Sequence, residues 1–297
     1  MKVLVTGSNG LLGQKISNLF ANDFDIEPVF TSRKPLTYSI NRGKFERLDI
    51  SNHGNVKEVI SRSKPEVIIH TAAMTQVDDC ELNHDECWLH NVKATEFLLE
   101  ASTAVNAHFI FVSTDFIFNG KFGPLNEQAV PEPVNYYGES KLAAEEAVQK
   151  YPYRWSILRT VLVYGVAYDM SRSNIVLWVK KSLEAKKQIK VVDDQWRTPT
   201  LAEDLAMGCC LTAKKSKDGI FNISGEELMT PYDIAIRTAR FFELDESLIE
   251  RTDSTQFKQP ALRPPRTGFK IDKAKKELGY KPHTFEEGLA LIQQQLK

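Results

Sequence analysis

Short apolar runs alternate with longer amphipathic stretches through the first half of the chain. The runs predict strands over residues 2–6, 26–31, 45–48, 66–70, 108–112 and 155–159. Helical patterns lie between them, the clearest placing Leu12, Ile16, Leu19 and Phe20 on one face. Such alternation, with runs apolar throughout, implies a parallel sheet covered by helices on both sides: an α/β, doubly wound, Rossmann-type fold. Pro28 falls inside the second run. Proline donates nothing to a strand ladder, so it is expected near that strand's start.

Past about residue 160 the alternation weakens, and the pattern predicts helices over 174–185, 202–212 and 231–242. Thr230-Pro231-Tyr232-Asp233 reads as a capping box with proline at the first helical position. Asp272 is expected to cap a further helix that stops at Gly279, with Pro282 beyond it. The chain thus divides into residues 1–165 and a smaller, mostly helical region over 166–297, whose 202–212 helix is expected to pack back on the first part.

Thr6-Gly7-Ser8-Asn9-Gly10-Leu11-Leu12-Gly13 joins the first strand to the first helix. Gly7 allows a sharp turn, Gly10 allows backbone to approach a pyrophosphate, and Gly13 allows helix and sheet to pack closely. The helix N-terminus then offers free N–H groups to phosphates. This placement marks residues 1–165 as an NAD(P)-binding domain. The second strand ends in Thr31-Ser32-Arg33-Lys34. An acid there would accept from the ribose 2′-hydroxyl and repel a 2′-phosphate; two cations instead favour NADPH, with NADH the alternative.

Tyr137 and Lys141 stand four residues apart on a predicted helix, one turn apart on one face. Of the nine tyrosines, only Tyr137 has lysine at that offset, which singles it out as a proton donor supported by a neighbouring ammonium. Ligands of parallel sheets bind beyond the carboxyl ends of the strands. A carbonyl-polarising hydroxyl is therefore expected after the fifth strand, at Thr114 or, as the runner-up, Ser113. A proton donor, its activator and a polarising hydroxyl suit hydride transfer to a ketone.

Charge and composition remove other classes. Hydrophobic residues make up 42% and charged ones 26%, ordinary for a globular chain, and the net charge of -1 argues against nucleic acid. No apolar run is long enough to span a bilayer and no signal peptide is evident, so a cytoplasmic protein with no membrane partner is expected. Cys80, Cys87, Cys209 and Cys210 fit neither a zinc site nor a disulfide framework, and the six histidines are scattered, so no metal is expected.

Together these segments resemble the extended short-chain dehydrogenases, and within them the dTDP-4-dehydrorhamnose reductases, over essentially the whole chain. The resemblance runs through the glycine turn, His70-Thr71-Ala72-Ala73-Met74-Thr75-Gln76-Val77-Asp78, Ser113-Thr114-Asp115-Phe116, the Tyr–Lys segment, Asp194-Gln195-Trp196-Arg197-Thr198-Pro199-Thr200 and Arg263-Pro264. It implies that Thr114, Tyr137 and Lys141 are catalytic, and that Ala72, Ala73, Thr75, Asp49 and Ile50 lie along the cofactor. It also places Asp115, Phe116, Arg197 and Arg263 on the side of a nucleotide-sugar substrate, with a homodimer the compatible assembly. Arginine forks suit diphosphate oxygens, so Arg197, Arg263 and Arg266 are candidates to meet one.

The sequence departs from that pattern at Phe116, Leu162, Arg197 and Arg266, all on the expected substrate side. The alternatives are an epimerase or dehydratase of the same superfamily, or a non-catalytic regulatory subunit like that of methionine adenosyltransferase.

Overall fold

Strand β1 (Lys2–Thr6) sends Val3 and Val5 into one apolar cluster and Leu4 into another on the opposite face. It opens a computed structural model that describes residues 1–169 and 173–297. There follow α1 (Leu11–Phe20), β2 (Glu27–Ser32), β3 (Lys44–Arg47), α2 (His53–Ser63), β4 (Val67–His70), α3 (Val77–Leu82) and α4 (His84–Trp88). A π-helical turn, Leu89–Lys93, leads into α5 (Ala94–Thr103), then β5 (His108–Thr114), α6 (Tyr136–Gln149) and β6 (Trp155–Thr160). Beyond lie β7 (Val163–Tyr164), α7 (Ile175–Glu184), β8 (Ile189–Val192), β9 (Thr200–Leu201), α8 (Ala202–Lys214), β10 (Gly219–Asn222), α9 (Pro231–Phe241), β11 (Ile249–Thr252) and α10 (Phe285–Gln295).

Among the described residues, seven parallel strands form one sheet in the order β10-β6-β5-β4-β1-β2-β3. Both faces are covered, which is why the strands read as unbroken apolar runs. On one face Ile16 and Phe20 of α1 join Leu205, Ala206 and Cys209 of α8; on the other, Val59 and Ile60 of α2 join Leu98 of α5 and Ala144 and Val148 of α6. The strand order reverses between β1 and β4, opening a crevice at their carboxyl ends. Pro28 sits second in β2, and pairing with β3 begins only at Val29, so the missing donor falls outside that ladder.

The later part departs from the sequence expectation in three ways. β10, four residues long, returns to the edge of the main sheet beside β6. The pairs β11·β8 and β7·β9 add two small parallel sheets to a region expected to be mostly helical. These strands have two to four residues, too few to show a periodicity. Asp272 does not cap its helix from outside: Lys275 N–H bonds the Ile271 carbonyl, so the helix begins one residue earlier than Asp272 as a cap would allow. Its end at Gly279 is as expected, with φ +69°. No helix of the described residues is long and apolar enough to cross a membrane.

Candidate active site

The chain leaves β1 through Gly7, whose φ of +70° only glycine adopts freely. A Cβ there would lie 2.9 Å from the Ala72 nitrogen, so the turn is pressed against the loop that follows β4. At Gly13 a Cβ would lie 2.5 Å from the Gly7 carbonyl oxygen, which fixes how closely α1 seats on the turn. The first turn of α1 has no capping side chain and no acid. Its amides face outward with the positive end of the helix dipole behind them, a cradle that fits a pyrophosphate.

Two cavities run along the carboxyl ends of the strands. The first, about 450 Å³, is lined by Gly7, Ser32, Arg33, Asp49, Ile50, Ala72 and Ala73. The second, about 620 Å³, is lined by Leu11, Leu12, Ala73, Thr75, Thr114, Asp115, Phe116, Tyr137, Lys141, Arg197 and Arg263. Ala73 belongs to both walls, so they form one cleft. A third chamber, about 240 Å³, shares Ile175, Gln195, Pro231 and Arg263 with the second and adds Trp178, Lys190 and Phe257.

Not every expected residue reaches this cleft. Ser8 is fully buried and holds β1 to β2, donating to the Val5 carbonyl and accepting from Thr31 N–H. Asn9 Nδ2 donates to Ser32 Oγ and the Pro35 carbonyl, tying down the loop after β2. Gly10, Gly13 and Lys34 are absent from both walls, Gly10 and Gly13 acting through backbone shape alone.

The catalytic candidates do converge. Asn135 caps α6, its Oδ1 accepting from Gly138 N–H at 2.8 Å and its Nδ2 donating to the Leu262 carbonyl at 2.7 Å. A side chain at Gly138 would strike the Phe116 carbonyl, so glycine lets α6 approach the end of β5. This seats Tyr137 with Thr114 on the wall of the second cavity, and Phe116 meets the Tyr137 ring edge-on at 6.0 Å. Burial holds the phenol above its ordinary range, and the Thr114 hydroxyl pulls the other way.

Lys141 Nζ donates to the Val112 carbonyl at 2.8 Å, and burial lowers it to about 7. Ser113, the runner-up hydroxyl, also lines the cleft, and its buried Oγ has no hydrogen-bond partner among the described residues.

The arginines are less open than their sequence positions imply. Arg197 is 4% exposed, and its guanidinium is spent on the carbonyls of Trp196, Pro264 and Pro265. Its Nε lies 3.7 Å from Asp115, whose carboxyl burial pushes up and Arg197 draws down. Arg263 grips Asp78 with two 2.6 Å bonds, which holds that carboxyl below its usual range. Arg266 donates to the Gly123 carbonyl and stacks on Trp196, away from the cleft walls.

Sequence reasoning missed Asp79, Asn83, Glu86 and His90, which wall the first cavity from α3 through the π-helical turn. They carry no motif; α3, α4 and the π-helical turn bring them in. Cys80 and Cys87, which fit no metal or disulfide pattern in the sequence, pack directly against Tyr137. Among the described residues, no three His, Cys, Asp or Glu side chains converge as a metal ion would require.

With this geometry in hand, known proteins offer a comparison. The family model described as RmlD substrate binding domain matches residues 1–297. Methionine adenosyltransferase 2 subunit beta of Xenopus laevis is 34% identical, over 83% of this chain and 73% of its own. The crystal structure of a dTDP-4-dehydrorhamnose reductase from Clostridium acetobutylicum superimposes with a TM-score of 0.89 at 28% identity, covering 100% of this chain and 99% of that one. The dTDP-4-dehydrorhamnose reductase of Bacillus anthracis str. Ames, solved in complex with NADP, gives 0.88 at 26% identity, with 100% and 99% covered. This chain belongs to the RmlD substrate binding domain family.

Proposed function

We propose that this protein is an NADPH-dependent reductase acting on the 4-keto group of a nucleotide-linked deoxysugar, the reaction class of the dTDP-4-dehydrorhamnose reductases. One observation carries the reading. Thr114, Tyr137 and Lys141 meet on the wall of a cleft that begins at the glycine turn and opens into the chamber of Trp178 and Phe257. Residues 1–165 hold the cofactor and 166–297 the substrate, with α8 returning to the first part. The complex of the Bacillus anthracis reductase with NADP supports a nicotinamide cofactor. Arg33 on the cleft wall, with no acid at the end of β2, favours NADPH over NADH.

Bound in the cleft, the reduced nicotinamide supplies hydride to the carbonyl carbon. The Thr114 hydroxyl binds the carbonyl oxygen, and Tyr137 O–H protonates it as negative charge develops. The Lys141 ammonium favours the phenolate left behind, which solvent reprotonates, so one proton is consumed per carbonyl reduced. Beyond the reacting carbon, Trp178 and Phe257, each 39% exposed, offer aromatic faces to a nucleobase, and Lys190 offers charge to a diphosphate.

The test is NADPH oxidation with a panel of dTDP- and UDP-linked 4-keto-6-deoxysugars. Turnover of at least one is expected, and no oxidation with any member would overturn the reading. The 34% identity to a methionine adenosyltransferase subunit favours a second reading, a regulatory subunit. Stable binding to a methionine adenosyltransferase catalytic chain, together with no keto-sugar turnover, would establish that instead.

A further inference from the structure

His70 ends β4 with both ring nitrogens engaged and 2% exposure. Nδ1 lies 2.8 Å from Thr6 Oγ1, and Nε2 lies 3.2 Å from Thr95 Oγ1. Counting donors fixes the direction of both bonds. Thr6 Oγ1 already accepts the backbone N–H groups of Thr71 at 3.1 Å and Ala72 at 3.2 Å, so its own proton points at Nδ1. Thr95 gives its hydroxyl proton to the Asn91 carbonyl at 2.7 Å, so it accepts from Nε2–H.

The chain continues on both sides. Asn91 clasps Met74, taking its N–H at 2.8 Å and donating to its carbonyl at 3.0 Å, and it also donates to Ser140 Oγ at 2.9 Å. Ser140 in turn donates to the Tyr137 carbonyl at 2.8 Å. A set of buried and partly buried hydrogen bonds therefore joins the glycine turn, the loop of Ala72 and Ala73, and the helix bearing Tyr137 and Lys141.

We infer that His70, locked as the neutral Nε2–H tautomer, is a positioning residue that sets the cofactor-lining loop 71–74 in register with the glycine turn and the catalytic helix. It touches no reacting atom. Burial and the nearby Lys141 charge push its basicity down to about 3, in keeping with a ring that never carries charge in the folded protein. The inference rests on the reading of the cleft as a nicotinamide site.

Two measurements test it. In protein labelled with ¹⁵N-histidine, the His70 resonances, assigned by difference from a His70→Asn variant, should show protonated Nε2, bare Nδ1 and no titration between about pH 5 and 8. A protonated Nδ1, or titration near the ordinary histidine value, would overturn the relay. NADPH affinity is then measured by fluorescence, without substrate. His70→Phe keeps the ring but removes both bonds, and should weaken binding by about ten-fold or more. His70→Asn keeps an acceptor for Thr6 and should stay within about three-fold of wild type. Equal affinities in wild type and His70→Phe would overturn the positioning role, whereas a merely structural role would lower thermal stability without separating the two variants. The wild-type resonances and His70→Asn do not depend on the Phe variant folding. Wild-type protein that binds neither NADPH nor NADH would instead refute the cofactor reading, while the tautomer still judges the hydrogen-bond chain.

Discussion

Lys141 Nζ lies 3.9 Å from the centroid of the Phe111 ring and donates to the Val112 carbonyl, so its place is set by β5. Tyr137 shares the cavity wall with Thr114 and packs against Phe116, Cys80 and Cys87. Spacing on a helix foretold that Tyr137 and Lys141 share a face, and the strand beneath explains where the ammonium is held.

Burial lowers Lys141 to about 7 from its ordinary 10.5, so the folded site loses its cation as pH rises through about 7. The unfolded chain keeps that proton up to its ordinary value. Stability from this group therefore rises with pH across the window between them and is lost as pH falls through about 7. On the proposed mechanism, in which the ammonium supports the phenolate, activity should move the opposite way, with kcat declining above about pH 7. Lys141→Met should lower kcat by about 100-fold and remove that declining limb. A wild-type kcat that stays flat to about pH 9 would contradict this.

Tyr137→Phe removes the proposed proton donor and keeps the ring against Phe116, Cys80 and Cys87. Carbonyl reduction should fall by about 10²–10⁴-fold. NADPH affinity, measured separately by fluorescence, should remain close to wild type. Retained turnover in this variant would assign proton donation to another group.

Much of this was legible in the chain, for stated physical reasons. The strands β1, β2, β4, β5 and β6 are buried on both faces, so each reads as an apolar run wherever it begins or ends within a residue or two. Tyr137 and Lys141 were found because four residues make about one helical turn. What stayed hidden depends on distant partners. Asp78 lies 185 residues from Arg263, and the Pro264 carbonyl lies 67 from Arg197, so neither arginine's engagement could be read locally. Glu86 of α4 and His90 of the π-helical turn both wall the cleft, and that turn carries no sequence signal.

Arg33 stands exposed at the end of β2, on the wall of the first cavity. Its fork would serve a 2′-phosphate and nothing on NADH. Arg33→Ala should therefore raise KM for NADPH by about ten-fold and leave that for NADH nearly unchanged. Comparable losses with both cofactors would place the 2′-phosphate elsewhere, and an NADH preference in the wild type would remove the premise.

Glu145 and Arg159 form a fully buried pair joining α6 to β6, with bonds of 3.0 and 2.7 Å. Glu145 stands one turn beyond Lys141, so the pair anchors the helix of Tyr137 and Lys141 to the sheet. Removing one charge strands the other: Arg159→Met or Glu145→Gln should each cost about 3–5 kcal/mol in chemical denaturation. Replacing both with apolar residues should recover most of that loss. Additive losses in the double variant would show that the pair does not act as a unit.

Gly10 and Gly13 separate what the turn does for the fold from what it does for a ligand. At Gly13 a Cβ would lie 2.5 Å from the Gly7 carbonyl oxygen and 2.6 Å from Ser8 Cα, both backbone, so neither can step aside. Gly13→Ala should destabilise the protein by about 1–3 kcal/mol. At Gly10 a Cβ meets only the Gly7 carbonyl oxygen, at 3.2 Å, and the backbone at φ -74° suits alanine. Gly10→Ala should shift the denaturation midpoint much less than Gly13→Ala does. Its added methyl sits at the mouth of α1, where the first-turn amides await a pyrophosphate, and NADPH affinity should fall by about ten-fold or more. If Gly10→Ala bound NADPH as tightly as the wild type, the pyrophosphate would have to approach by some other face of the turn.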